Sequence, residues 1–237
     1  MLSFIRRLPP LATLVALSAF VITSSLGVWQ WQRAGDKTAR LAQIQQRAEA
    51  SPLELFAAVQ MGEQAVDFPL RVEGRFSADI TLLVDNKLRD GMPGYEVVGL
   101  LDTDAGWLPV NWGWLKAGTA RDALPDFHLP DGLITLNGRV GEPSLNSFIR
   151  ETASGAKRGL VRVQQFDPAW IEQHYQLQVL PLMLYVTEPG ELRRDWQPVV
   201  MPPEKHLAYA IQWFGIALAI LIIFFFAVRR TLSNESE

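Results

Sequence analysis

Cysteine is missing altogether from this 237-residue chain. That excludes disulfides, thiolate zinc sites, iron–sulfur clusters, copper–thiolate centres and cysteine nucleophiles together. It leaves the compartment open, because reducing and oxidising environments both tolerate a chain without thiols. Histidine is scarce, with 3 residues: His128, His174 and His206, none with a sequence neighbour at metal-ligand spacing. A basic excess is lacking too. The net charge is −3, which argues against nucleic acid as a partner, since phosphate binding needs a cationic face. H-E-x-x-H, G-x-S-x-G, a P-loop and the dinucleotide-binding glycine pattern do not occur. Catalysis therefore has no motif to stand on. A membrane-anchored periplasmic hydrolase is kept as an alternative that requires His128 or His174 beside a buried serine or carboxylate.

What the chain does have is two long apolar runs, one near each end. From Leu207 to Val228 there is no formal charge, roughly 33 Å of helix at about 1.5 Å per residue, enough to cross a bilayer. Pro202-Pro203-Glu204 suits a helix start, where proline loses no hydrogen bond and an acid complements the dipole. Tyr209 and Trp213 fall where an interfacial aromatic belt is expected, and Arg229-Arg230 close the run as a cytoplasmic stop. The earlier run follows Arg6-Arg7 and reaches Trp31. Its rival reading is a signal peptide, but it is longer than a signal core, lacks a convincing small-residue cleavage site, and ends in the belt residues Trp29 and Trp31. The expected organisation is a cytoplasmic tail (1–10), a span (11–31), an extracytoplasmic domain (32–205), a second span (207–228) and a second cytoplasmic tail (229–237).

Between the spans the period changes. Residues 33–50 are rich in helix formers, with Leu41, Ile44 and Ala48 as an apolar stripe, and predict a surface helix continuing the first span. Ser51-Pro52-Leu53-Glu54 predicts the start of a short second helix. Residues 69–76 alternate apolar and charged side chains and predict a half-buried strand; 80–87 predict a second strand, with Arg89-Asp90-Gly91 as turn chemistry. Further strands are expected at 95–101, 107–115, 133–140, 160–163 and 179–187. The stretch from Pro143 to Gly159 reads as a separator. Asp167-Pro168 caps one short helix. Few helices among many short strands predict a mainly antiparallel barrel- or sandwich-like domain between two transmembrane helices. Trp107, Trp112 and Trp114 suit either a packed sheet face or an aromatic surface for a ring ligand or protein partner.

His206 lies at the entrance of the second span. At about 100° per residue, Tyr209, Ala210, Trp213 and Ala217 share its face of the helix. A neutral imidazole above a small alanine and flanked by aromatics is able to ligate a flat, metal-bearing ring. The plainer reading is an interfacial histidine bonded to lipid headgroups or to the helix start.

Three motifs occur in order: Gly27-x-Trp29-Gln30-x-x-Arg33-x-x-x-Lys37, Val110-Asn111-x-Gly113-Trp114, and His206-Leu207-x-Tyr209-Ala210-x-x-Trp213-Phe214. With its hairpin of spans, the chain resembles the Surfeit locus protein one family, assembly factors for haem-copper cytochrome oxidases. It departs from the family at Trp112, where an arginine is usual. The resemblance implies a non-enzymatic biogenesis factor of the inner membrane, with its central domain in the periplasm, that assists haem a supply to the oxidase catalytic subunit. It further implies His206 as haem ligand, Tyr209 and Trp213 lining the ring, and Arg33 and Lys37 pairing propionates. The expected partners are the oxidase catalytic subunit, the haem a synthesis machinery and the bilayer. A haem-free scaffold for an oxidase intermediate is the competing expectation.

Overall fold

The structure is a computed structural model, and it describes residues 10–118, 125–143, 145–149, 153–157, 159–196 and 201–234. Arg6 and Arg7, the basic flank of the first run, lie outside the described residues. The chain divides into two compact units, one of Met1–Gln43 with Gln197–Glu237 and the other of Ile44–Trp196.

The terminal unit is built on two helices, α1 (Pro10–Ala48) and, last in the chain, α4 (Pro203–Asn234). Both are long and apolar enough to cross a membrane. Helix α1 runs unbroken through the segment expected as a surface continuation of the span, since no glycine pair or proline interrupts its helix formers. Leu11, Leu14, Ile211 and Ile223 are exposed on the outer faces of the pair, as lipid-facing side chains are.

The central unit holds eight strands among the described residues: β1 (Leu53–Glu54), β2 (Pro69–Val84), β3 (Gly94–Thr103), β4 (Gly106–Lys116), β5 (Ile134–Gly141), β6 (Ser154–Lys157), β7 (Leu160–Val163) and β8 (Met183–Val186). Helix α2 (Leu55–Met61) and a 3-10 turn (Gly62–Ala65) precede β2, and α3 (Pro168–Tyr175) precedes β8. Strand β2 pairs with both β3 and β5, and the path β3-β4-β8-β5 returns to it, so these strands form a closed ring. The architecture is a barrel within a mixed sheet. Most pairings are antiparallel, while β1–β2, β2–β7 and β4–β8 are parallel.

Closure depends on β2 being one long strand rather than the two expected. Its register against β3 slips between Phe76 and Thr81, and such a bulge bends a strand so that its halves serve different neighbours. The first half pairs with β5 and alternates buried and exposed residues. The second half is buried on both faces. Ile80, Leu82 and Val84 pack with Val161, Val163 and Ile171, while Leu83 packs with Tyr95, Val97 and Leu192. A two-sided strand reads as a continuous apolar run, which is why the two halves look like separate elements in sequence.

Three other expectations need correction. The residues after Ser51 do not start a helix: Leu53–Glu54 pair with β2, and α2 begins at Leu55 without a side-chain cap. The separator at 143–159 contains β6, which pairs with β7. The strand expected at 179–187 is only Met183–Val186, with Val179 making a lone bridge to Trp107. Two local readings match the fold. Asp167 caps α3 by accepting from the Ala169 and Trp170 amides. Asp90 and Gly91 turn with φ of 52° and 76° between Arg89 and Met92, as a two-residue hairpin demands.

Candidate functional site

The site is built from two stripes of side chains. On α4, Pro203, His206, Ala210 and Ala217 are buried and Trp213 half-buried. On α1, Thr23, Gly27 and Ala34 are buried and Gln30 and Lys37 half-buried. Steps of three and four along both helices are the spacing of a paired-helix seam. The helices meet antiparallel: Gln30 reaches His206, while Gly27 lies under Phe214, whose ring is 2.6 Å from where a Cβ would stand. Small residues at this seam let the backbones approach closely, which is how helices associate where lipid removes the hydrophobic drive. Thr23 satisfies its hydroxyl within its own helix, on the Ala19 carbonyl at 2.8 Å.

His206 is 8% exposed. Its Nδ1 lies 2.7 Å from Gln30 Oε1, and its Nε2 is buried with no hydrogen-bond partner. An amide oxygen only accepts, so this contact is a hydrogen bond when Nδ1 is the ring nitrogen that carries the proton. Histidines that bind metals through one ring nitrogen ordinarily have the other in a bond of this kind.

The other expected site residues divide. Trp213 shares the covered stripe with His206, and Lys37 shares the opposite stripe with Gln30 and Ala34. Tyr209 is turned outward and is 45% exposed. Arg33 also faces outward, with its guanidinium 5.9 Å over the Trp29 ring and a 3.7 Å ion pair to Asp36. Sequence reasoning quoted Gln30 within a motif but gave it no role. Nothing in a sequence says that residues 176 apart share a hydrogen bond.

The first and last motifs are thus each other's packing partners. The chain matches the SURF1 family over residues 17–218, a range that contains all three motifs. It belongs to the SURF1 family, the Surfeit locus protein one family named above. That is a family of oxidase assembly factors. Comparison with curated proteins found no match.

The middle motif of this SURF1 family member organises the central unit. Asn111 donates to Glu96 at 3.1 Å and accepts from the Gly113 amide at 3.1 Å. Trp114 exchanges backbone hydrogen bonds with Arg193, and its indole N–H donates to the Lys87 carbonyl at 2.7 Å. Gly113 has φ +135°, and a Cβ there would stand 2.8 Å from the Leu192 Cβ, so the motif needs glycine twice over. Arg89 bridges Glu96 at 3.0 Å and Asp195 at 3.3 Å, and Arg193 pairs with Asp90 and Asp195. The motif is a clasp for the segment from Leu192 to Asp195.

Trp112, where the resemblance implies an arginine, packs against this clasp. Arg194 lies 4.2 Å over its ring and donates to its carbonyl at 3.0 Å, so the cation near this position comes from a different strand of chain. Phe76 meets the ring edge-on at 5.5 Å. Trp107 and Trp114 pack into the sheet, which is the packed-face reading of the tryptophan cluster. Tyr185 stacks on Trp196 at 4.8 Å, and its hydroxyl is pushed well above its ordinary pKa, first by burial and then by the Glu96 charge.

His128 and His174 are exposed. His174 stacks on Trp170 at 4.2 Å and bonds its carbonyl oxygen at 2.8 Å. Among the described residues no His, Cys, Asp or Glu cluster has metal-binding geometry. A groove of about 570 Å³ is lined by Glu54, Phe56, Arg71, Glu73, Thr103 and Asp104, among others, and by none of the expected site residues.

Proposed function

We propose that this chain assists haem-copper oxidase assembly at the inner membrane by taking haem a at its helix pair for transfer to the catalytic subunit. The central domain faces the periplasm and both termini face the cytoplasm, as Arg229-Arg230 after the apolar run favour under the positive-inside rule. The observation that carries the haem reading is the buried, unpartnered Nε2 of His206. Its donor chemistry fits: an imidazole held through Nδ1 would present Nε2 in a seam of small side chains. His206 is the residue that would hold haem a, whose iron would take up a nitrogen of this kind. Trp213 offers a flat face on the same stripe and Tyr209 one on the outer side of the helix, while Lys37 on the seam and Arg33 on the outer face of α1 offer cations to carboxylates.

The scaffold reading has the same contact in its favour, seen as a lock. A His206–Gln30 bond between two spans holds the helix pair together whether or not haem arrives. Purification of wild type and His206→Ala from cells that make haem a separates the two. Loss of the haem absorption in the variant, with helix content retained, supports delivery. Equal haem content in both proteins overturns it and leaves the scaffold.

A further inference from the structure

Building on the haem reading, we infer that Gln30 is a positioning residue that sets the tautomer of His206, keeping the proton on Nδ1 and the lone pair on Nε2. The ordinary preference of a histidine side chain in water is the opposite one, with the proton on Nε2. At 2.7 Å from Gln30 Oε1, an unprotonated Nδ1 would set lone pair against lone pair in this orientation of the amide. A proton on Nε2 would then be buried with no acceptor. Both penalties vanish in the Nδ1–H form. The close helix approach makes the bond possible: Gly27 and Ala34, one turn to either side of Gln30, are buried and small, and Gly27 admits the Phe214 ring. The amide also explains why the acceptor is neutral. A carboxylate would bring a charge into the seam, whereas glutamine orients the ring without one.

The test does not require haem. The full-length chain, labelled with ¹⁵N-histidine and purified without haem in lipid nanodiscs, contains 3 histidines. His128 and His174 are exposed, so replacing each by alanine assigns the His206 signals by elimination. The expected spectrum has a pyrrole-type Nδ1 and a pyridine-type Nε2. Gln30→Leu, similar in volume and without an acceptor, is expected to lose that pattern, and Gln30→Glu to keep Nδ1 protonated. A pyridine-type Nδ1 in wild type, or an unchanged pattern in Gln30→Leu, overturns the inference. Haem a titrated into the same preparations should bind about 10–100-fold more weakly to Gln30→Leu, the usual cost of losing a bond that orients a metal-bound histidine. The two failures are distinguishable. Haem binding that ignores His206 while Nδ1 is protonated sinks the haem reading alone; haem binding that needs His206 while Nδ1 is bare sinks the tautomer assignment alone.

Discussion

The central barrel and the terminal helix pair bury opposite kinds of residue. Inside the barrel unit, Leu70, Leu82, Leu100, Leu101, Leu108 and Leu184 are all but sealed from solvent, and its charged clasp joins the partly exposed side chains of Arg89, Glu96 and Asp195. In the helix pair the large apolar side chains face outward, Leu11 at 74% and Ile211 at 73% exposed. The seam holds Thr23, Gly27, Ala34, His206, Ala210 and Ala217. Water drives the first arrangement, since every apolar area removed from it is favourable. Lipid is indifferent to burying another leucine, so the second arrangement is held by close packing and a few polar contacts. The lesson is that the seam depends on close packing with the His206–Gln30 bond as one polar contact beside it, whereas the barrel depends on apolar burial.

That contrast breaks first, and by the largest margin, in the barrel core. Leu101→Ala should destabilise the central unit by about 2–5 kcal/mol, read as a lower denaturant midpoint, with the His206 nitrogen signals unmoved. A shift in those signals would show that the two regions are not energetically separate. Next in size is the clasp. Gly113→Ala has to adopt φ +135° against Leu192, at a cost of about 1–3 kcal/mol, again confined to unfolding of the central unit.

In the seam, Gly27→Leu should force Phe214 off its seat and part the helices. Because the chain lacks cysteine, a dye pair on two introduced cysteines, one per helix, reports this directly. The expected change is a longer separation with an unchanged denaturant midpoint; an unchanged separation would mean that the seam repacks freely. The smallest effect is set by Tyr185. Its hydroxyl ionises only above its ordinary value of 10.0 in the folded state, so above pH 10 the folded chain binds a proton that the unfolded chain has lost. Stability is fully present below that pH and declines as pH rises through it. Tyr185→Phe should flatten this alkaline decline in pH-dependent melting, and an identical decline in both proteins would show that Tyr185 does not contribute.

Much of this was readable residue by residue. The apolar run from Leu207 to Val228 and the Asp167-Pro168 cap depend on local chemistry, and they stand where the residues put them. Strand β2 was harder, because Ser77-Ala78-Asp79 interrupts the alternation and looks like a linker. Only its simultaneous pairing with β3 and β5 makes the interruption a bulge. The partner of Trp112 was invisible for a similar reason, since a cation at 194 reaches it only through the clasp.

Unaided, the amino-acid order settled the two membrane-capable helices, the β-rich domain between them and the family, because periodicity, caps and motifs are properties of neighbouring residues. It also placed His206 among Ala210, Trp213 and Ala217 on one face. Ring closure, the parallel pairings of β7 and β8, and the bond from Gln30 to His206 were decided only by the folded chain. Each joins groups far apart in sequence, and whether such groups meet depends on how everything between them packs.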